Sequence, residues 1–99
     1  LAAWRQGASA GPPTEETRAE SERSTILFAT NCAPCHGPQG EGGIGPSLQP
    51  NDFVINKTDE ALIAYILTGD PGTSMPAFEG RLPLGDVQSV ATLLREWQP

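Results

Sequence analysis

The stretch Cys32-Ala33-Pro34-Cys35-His36 constrains this chain more than any other. On a helical turn, residues three and four apart share a face, so two thiols and an imidazole meet one side of whatever lies against them. This C-x-x-C-H spacing is that of covalent c-type haem attachment. Each thiol adds to a haem vinyl group as a thioether, and His36 becomes the proximal ligand of the iron. Two other chemistries use a C-x-x-C pair. A structural zinc site needs four ligands, and the chain has 2 cysteines and 1 histidine. A thioredoxin-like dithiol sits in a βαβ pattern, whereas a helical pattern precedes Cys32 and a Gly/Pro-rich loop follows His36.

A chain of 99 residues is one domain. At that size it buries too little apolar surface to be stable without a staple, and a haem supplies the missing core. No apolar run approaches the length of a membrane span, so the chain is expected to be soluble. It begins at Leu1 without an initiator Met or a signal-like segment, which is read as a processed or excised product. Haem attachment to reduced cysteines takes place outside the cytoplasmic membrane, so the expected residence is periplasmic or extracytoplasmic. The net charge is −6, and nothing resembles the basic patch that nucleic acid requires. From Ser24 onward the cations are Lys57, Arg81 and Arg95, against eight carboxylates. Long-range steering of a partner by a cationic face is therefore expected to be weak.

Residues 1–13 are rich in Ala, Gly and Pro and carry no period, as in a linker or tail. Trp4 is either an incidental exposed aromatic or an anchor on a partner or membrane interface. A helical pattern starts at Thr14, a candidate N-cap followed by Glu15 and Glu16. Its apolar face begins only at Ser24, Leu27 and Phe28. The segment 37–46, with five glycines and two prolines, is neither helix nor central strand, and lets backbone pass close to a flat ligand. Thr58, Asp59 and Glu60 open a second helix with Leu62, Ile63, Ile66 and Leu67 on one face and Gly69 beyond its end. Tyr65 on that helix is a core or rim aromatic, or a donor to a haem propionate. A last helix starts near Pro83–Gly85 and carries Val87, Val90, Ala91, Leu94 and Trp97 on one face.

Met75 is the only methionine. A lone Met is most often a core filler, but this one lies in an irregular segment before Pro76, which biases it to extended geometry. No second histidine is present to serve as a distal ligand. A thioether opposite an imidazole raises the haem potential, and it fills the position that oxygen or peroxide would need. Lys57 is the fallback ligand, although such a lysine is usually solvated.

From Ser24 onward the chain resembles a class I c-type cytochrome, the small bacterial monohaem kind. The resemblance rests on 27–37 around the haem motif, on Gly45-Pro46-Ser47-Leu48, on the helix 58–69 and on Met75-Pro76-Ala77-Phe78. It implies an all-α cytochrome c fold, with three main helices and loops wrapped around one covalently attached haem. Residues 1–22 would be the linker or a frayed helix start, and 23–99 the haem domain. Cys32 and Cys35 would carry the thioethers of one haem c, His36 and Met75 would be its iron ligands, and the Pro46 carbonyl would receive the other N–H of His36. The first and last helices would cross near Ser24 and Val90–Leu94, with Ser24 where the family usually has Gly, and Pro83 stands where a polar N-cap is usual.

The implied function is single-electron transfer in a respiratory or photosynthetic chain, without an enzymatic reaction of its own. Redox proteins would dock at an apolar rim of Ala33, Pro34, Pro76, Ala77 and Phe78. The N-terminal tail would serve as a tether to a membrane anchor or membrane complex. Two further readings stay open: an electron-entry domain or subunit of a larger oxidoreductase, and a haem peroxidase or sensor with a labile Met75.

Overall fold

In the computed structural model the backbone is described for residues 15–99 and the side chains from Arg18. Trp4, the linker and the Thr14 cap lie outside the described residues. Among the described residues five helices follow in order: α1 (Glu15–Asn31), α2 (Ala33–His36), α3 (Asp52–Asn56), α4 (Asp59–Thr68) and α5 (Leu84–Glu96). The described residues contain no strand, and α1, α4 and α5 are the three main helices expected of a cytochrome c fold.

The core follows the apolar spacing of these helices. Phe28 of α1, Leu62, Ile63 and Ile66 of α4, and Val87, Val90, Ala91, Leu93 and Leu94 of α5 are buried together with Val54 and Phe78. The chief helix pairing is α1 on α5, with α4 packed on α5 as a second. Residues 18–23 of α1 are all exposed, because Ala19 alone among them is apolar and it gives the helix no face to bury. Ser24 is the first buried position among the described residues and is only 5% exposed. Its hydroxyl donates back to the Glu20 carbonyl at 3.0 Å, so a polar side chain is tolerated inside the helix packing without an unpaired group. Arg23 pairs with Asp86 and ties α1 to the first turn of α5.

Helix ends follow local chemistry. The Thr58 hydroxyl accepts the Ala61 N–H at 3.1 Å, and Gly69 turns out of α4 with φ +72°. Pro83 precedes α5 with no side-chain cap, its carbonyl instead accepting the Asp86 and Val87 N–H groups. Trp97 stops α5 and meets Phe28 edge-on, ring centroids 4.8 Å apart. It presses on Gly40, where a Cβ would come within 2.6 Å of the indole. Helix α3 has no counterpart in the expectations from sequence. Asn51 caps it, its side chain accepting the Val54 N–H at 3.1 Å, and it puts Val54 into the core.

Val87 is fully buried and Leu84, three residues earlier, is 54% exposed. Val87→Ala is expected to cost about 2–3 kcal/mol in denaturant unfolding, the lost methyls plus the space they leave. Leu84→Ala is expected to stay within about 0.5 kcal/mol.

Candidate haem site

The site grows from the end of α1. The Cys32 N–H bonds the Phe28 carbonyl at 2.8 Å, and the next turn closes as the Cys35 and His36 N–H groups reach the Cys32 carbonyl at 3.1 and 3.0 Å. One helical turn thus carries both cysteines and the histidine. The final carbonyls of such a turn have no partner within it. The glycine loop returns to supply them: Gly45 N–H bonds the Cys35 carbonyl at 2.6 Å, and Gly42 N–H the His36 carbonyl at 2.7 Å. That return sets Pro46 beside the imidazole, with His36 Nδ1 2.8 Å from the Pro46 oxygen. Gly45 is required by contact rather than by dihedral, since a Cβ there would lie 2.9 Å from His36 Cε1.

Met75 is delivered by the same device. Phe78 and Glu79 donate to the Ile66 and Leu67 carbonyls near the end of α4 at 3.2 and 3.1 Å, and this folds the segment after Gly69 back on the helix. A Cβ on Gly69 would collide with the backbone of Met75, Pro76 and Ala77 at 2.7–2.9 Å. Within the loop, Asp70 N–H bonds the Met75 carbonyl at 3.2 Å. The Thr73 hydroxyl donates to the Asp70 carbonyl at 2.7 Å and accepts the Met75 N–H at 3.2 Å. Both backbone polar groups of Met75 are therefore held by Asp70 and Thr73.

Cys32, Cys35, His36 and Met75 line one cavity of about 440 Å³, along with Pro46. The rest of its wall is chiefly apolar, from Phe28, Leu48, Phe53, Val54, Leu62, Ile66, Phe78, Val90 and Leu94. A haem fits this donor set: two thiols and one imidazole on a single turn, a thioether on a separate loop, and an apolar enclosure of ligand size. With Nδ1–H donating to Pro46, the imidazole keeps Nε2 for a metal. Burial, and then the neighbouring Cys35, push the Cys32 thiol up to about 11. The closed fold disfavours a thiolate there.

One expectation is revised and two are made specific: Tyr65 is a half-buried rim aromatic and Lys57 is exposed, as expected. Phe78 is 4% exposed and lines the cavity, so it is core and not docking rim; its ring follows the chain as the backbone returns to Ile66. The Tyr65 hydroxyl donates to Asp70 Oδ2 at 2.9 Å, so it braces the loop that carries Met75. Lys57 lies over the Phe53 ring, Nζ 4.9 Å from its centroid, in a cation–π contact. Asp70, Thr73, Asn51 and Phe53 are site residues that sequence reasoning missed. The Asn51-Asp52 pair is a readable cap signal for α3, and Asp70-Pro71-Gly72 signals the turn that the Thr73 N–H closes on the Asp70 carbonyl at 3.1 Å, whereas the bonds from that turn to Met75 follow no spacing rule.

The family described as cytochrome c oxidase, cbb3-type, subunit III matches residues 19–94. Cytochrome c55X of Stutzerimonas stutzeri is 33% identical over 92 residues, spanning 93% of this chain and 78% of that protein. The cbb3-type cytochrome c oxidase subunit FixP of Bradyrhizobium diazoefficiens is 32% identical over 75 residues, 73% of this chain and 26% of FixP. Among solved structures, the c-type cytochrome NirC superposes with a TM-score of 0.63 at 31% identity, covering 88% of this chain and 100% of that one. The chain belongs to this cytochrome c family. It carries a covalently bound haem c, and its function is electron transfer.

Desolvation first, then the hydrogen bond to Asp70 and its charge, raise the Tyr65 pKa above its ordinary 10.0. The neutral hydroxyl is the form the fold favours, so its contribution to stability is complete below pH 10 and is lost as pH climbs through the folded-state value. Tyr65 is the only tyrosine, so ultraviolet difference titration of tyrosinate reads it directly. The midpoint is expected above 10 and is expected to fall in Asp70→Ala.

Proposed function

We propose that this cytochrome domain is a one-electron carrier whose haem is attached through Cys32 and Cys35 and held axially by His36 and Met75. The observation that carries the reading is that His36 and Met75 line one apolar cavity while each is fixed by a loop hydrogen-bonded to the helix before it. Haem bound there supplies a one-electron iron couple. His36 donates Nδ1–H to Pro46, which fixes the tautomer and raises the basicity of Nε2. The Met75 thioether favours the reduced state and so raises the potential. With His36 and Met75 both holding the iron, the chain itself would fill the position that oxygen or peroxide needs. Apolar walls exclude water, and the bonds from Asp70 and Thr73 limit rearrangement of the Met75 loop between oxidation states.

Its partners are redox proteins. We assign their contact to Ala33, Pro34, Pro76 and Ala77, of which Pro34 and Ala77 are exposed and Ala33 and Pro76 half-buried. Cytochromes c of this kind are extracytoplasmic. Periplasmic residence, and a tether ahead of the haem domain within residues 1–22, are the finer reading. The tether is supported by the Ala-, Gly- and Pro-rich composition of 1–13, while 15–22 belong to the start of α1 and the boundary between 22 and 23 lies inside that helix. No helix among the described residues is long and apolar enough to cross a membrane. A second reading, favoured by the family match and by FixP, makes the domain the electron-entry module of a larger oxidase complex.

Optical spectra of the purified holoprotein test the ligand set. The ferric form is expected to be low-spin with a weak far-red sulfur–iron charge-transfer band, and Met75→Ala to abolish that band and admit cyanide rapidly. A high-spin ferric form in the wild type would overturn the assignment and favour a peroxidase or ligand sensor.

A further inference from the structure

One wall of the haem cavity is held mainly by polar bonds. The segment 48–57 contributes Leu48, Asn51, Phe53 and Val54 to that wall, yet Val54 is its only buried residue. Ile55, which does not line the cavity, is 44% exposed, and Phe53 meets the Tyr65 ring, centroids 4.8 Å apart. A segment with so little apolar burial opens readily unless something else restrains it.

The restraint comes from the last turn of α5 and the residues just beyond it. The Gln98 side chain accepts the Asn51 N–H at 2.9 Å and donates to the Leu48 carbonyl at 2.8 Å, while a further bond to the Leu94 carbonyl at 2.8 Å fixes it to its own helix. Arg95 Nε donates to Asp59 Oδ1 at 2.9 Å. Its other two nitrogens donate to the Val54 and Lys57 carbonyls, in and just after α3. The planar fork of a guanidinium reaches three acceptors in this way, and an ammonium does not. Side chains 95 and 98 thus hold both ends of the segment.

We infer that Arg95 and Gln98 are positioning residues that hold segment 48–57 closed over the haem and keep water from that side of the cavity. Solvent access and local dielectric set a haem potential. Each opening of the segment wets the site and favours the more highly charged ferric state, so weakening either anchor lowers the potential. The inference requires haem in the cavity and is independent of the identity of the distal ligand.

The test is native-state amide exchange together with the reduction potential, both on the holoprotein. Gln98→Glu keeps the acceptor for Asn51 and removes the donor to Leu48; Arg95→Lys keeps the charge and loses the fork. In each, the Val54, Ile55 and Lys57 amides are expected to exchange about tenfold faster or more. Amides of α1 and α4 should keep their wild-type rates, and the potential should shift negative. Arg95→Met should exceed Arg95→Lys in both readouts. If it fails to fold, the two milder variants decide. Wild-type exchange in 54–57, uniform acceleration across all helices, or an unchanged potential would overturn the inference.

Discussion

Carbonyl groups left without partners at helix C-termini organise this structure. The turn carrying Cys32, Cys35 and His36 ends with its last carbonyls unpaired, and so does α4. In both places the following loop folds back to donate N–H groups, as buried backbone must. The loop after α2 brings Pro46 to His36. The segment after α4 brings Met75 to the same cavity. Satisfying the backbone and positioning the candidate donors are one event, and glycines at 45 and 69 let the loop segments come close enough.

This arrangement suits an electron carrier. Electron transfer asks for donors that stay put when the iron changes charge; of the proposed pair, His36 sits on a helical turn whose last carbonyls the glycine loop closes, and Met75 on a loop bonded along its backbone. The helices add a second level of restraint: α5 packs on α1 and α4 through its apolar face, and its last turn and the residues just beyond it bond segment 48–57 through Arg95 and Gln98. The described protein therefore encloses its cavity with two kinds of wall, one of buried side chains and one of a polar-anchored strap.

Much of this was legible in the sequence because it rests on short-range rules. The C-x-x-C-H turn, the Thr58 cap, the Gly69 exit and the apolar face of α5 each follow from residues within a few positions of one another, and all appear in the structure. What escaped depends on contacts distant in sequence. Phe78 reads as an exposed loop aromatic until the return to Ile66 buries it. Tyr65 has several polar groups within reach on sequence grounds, and only the fold selects Asp70. Arg95 lies 36 positions from Asp59 and 41 from Val54, beyond any local pattern. Helix α3 was missed for a different reason: five residues are too few to display a period.

The central claim is that His36 and Met75 are the axial pair of a single enclosed haem. Proton–carbon NMR of the reduced holoprotein carrying [methyl-13C]methionine tests it most directly, because the chain has only one methionine and gives one signal. A thioether bound to the iron holds its methyl group over the macrocycle, so the account predicts that signal far upfield of the ordinary methionine range. A signal within the ordinary range in the folded, reduced protein would contradict the account and leave Met75 as a loop residue without a bond to iron.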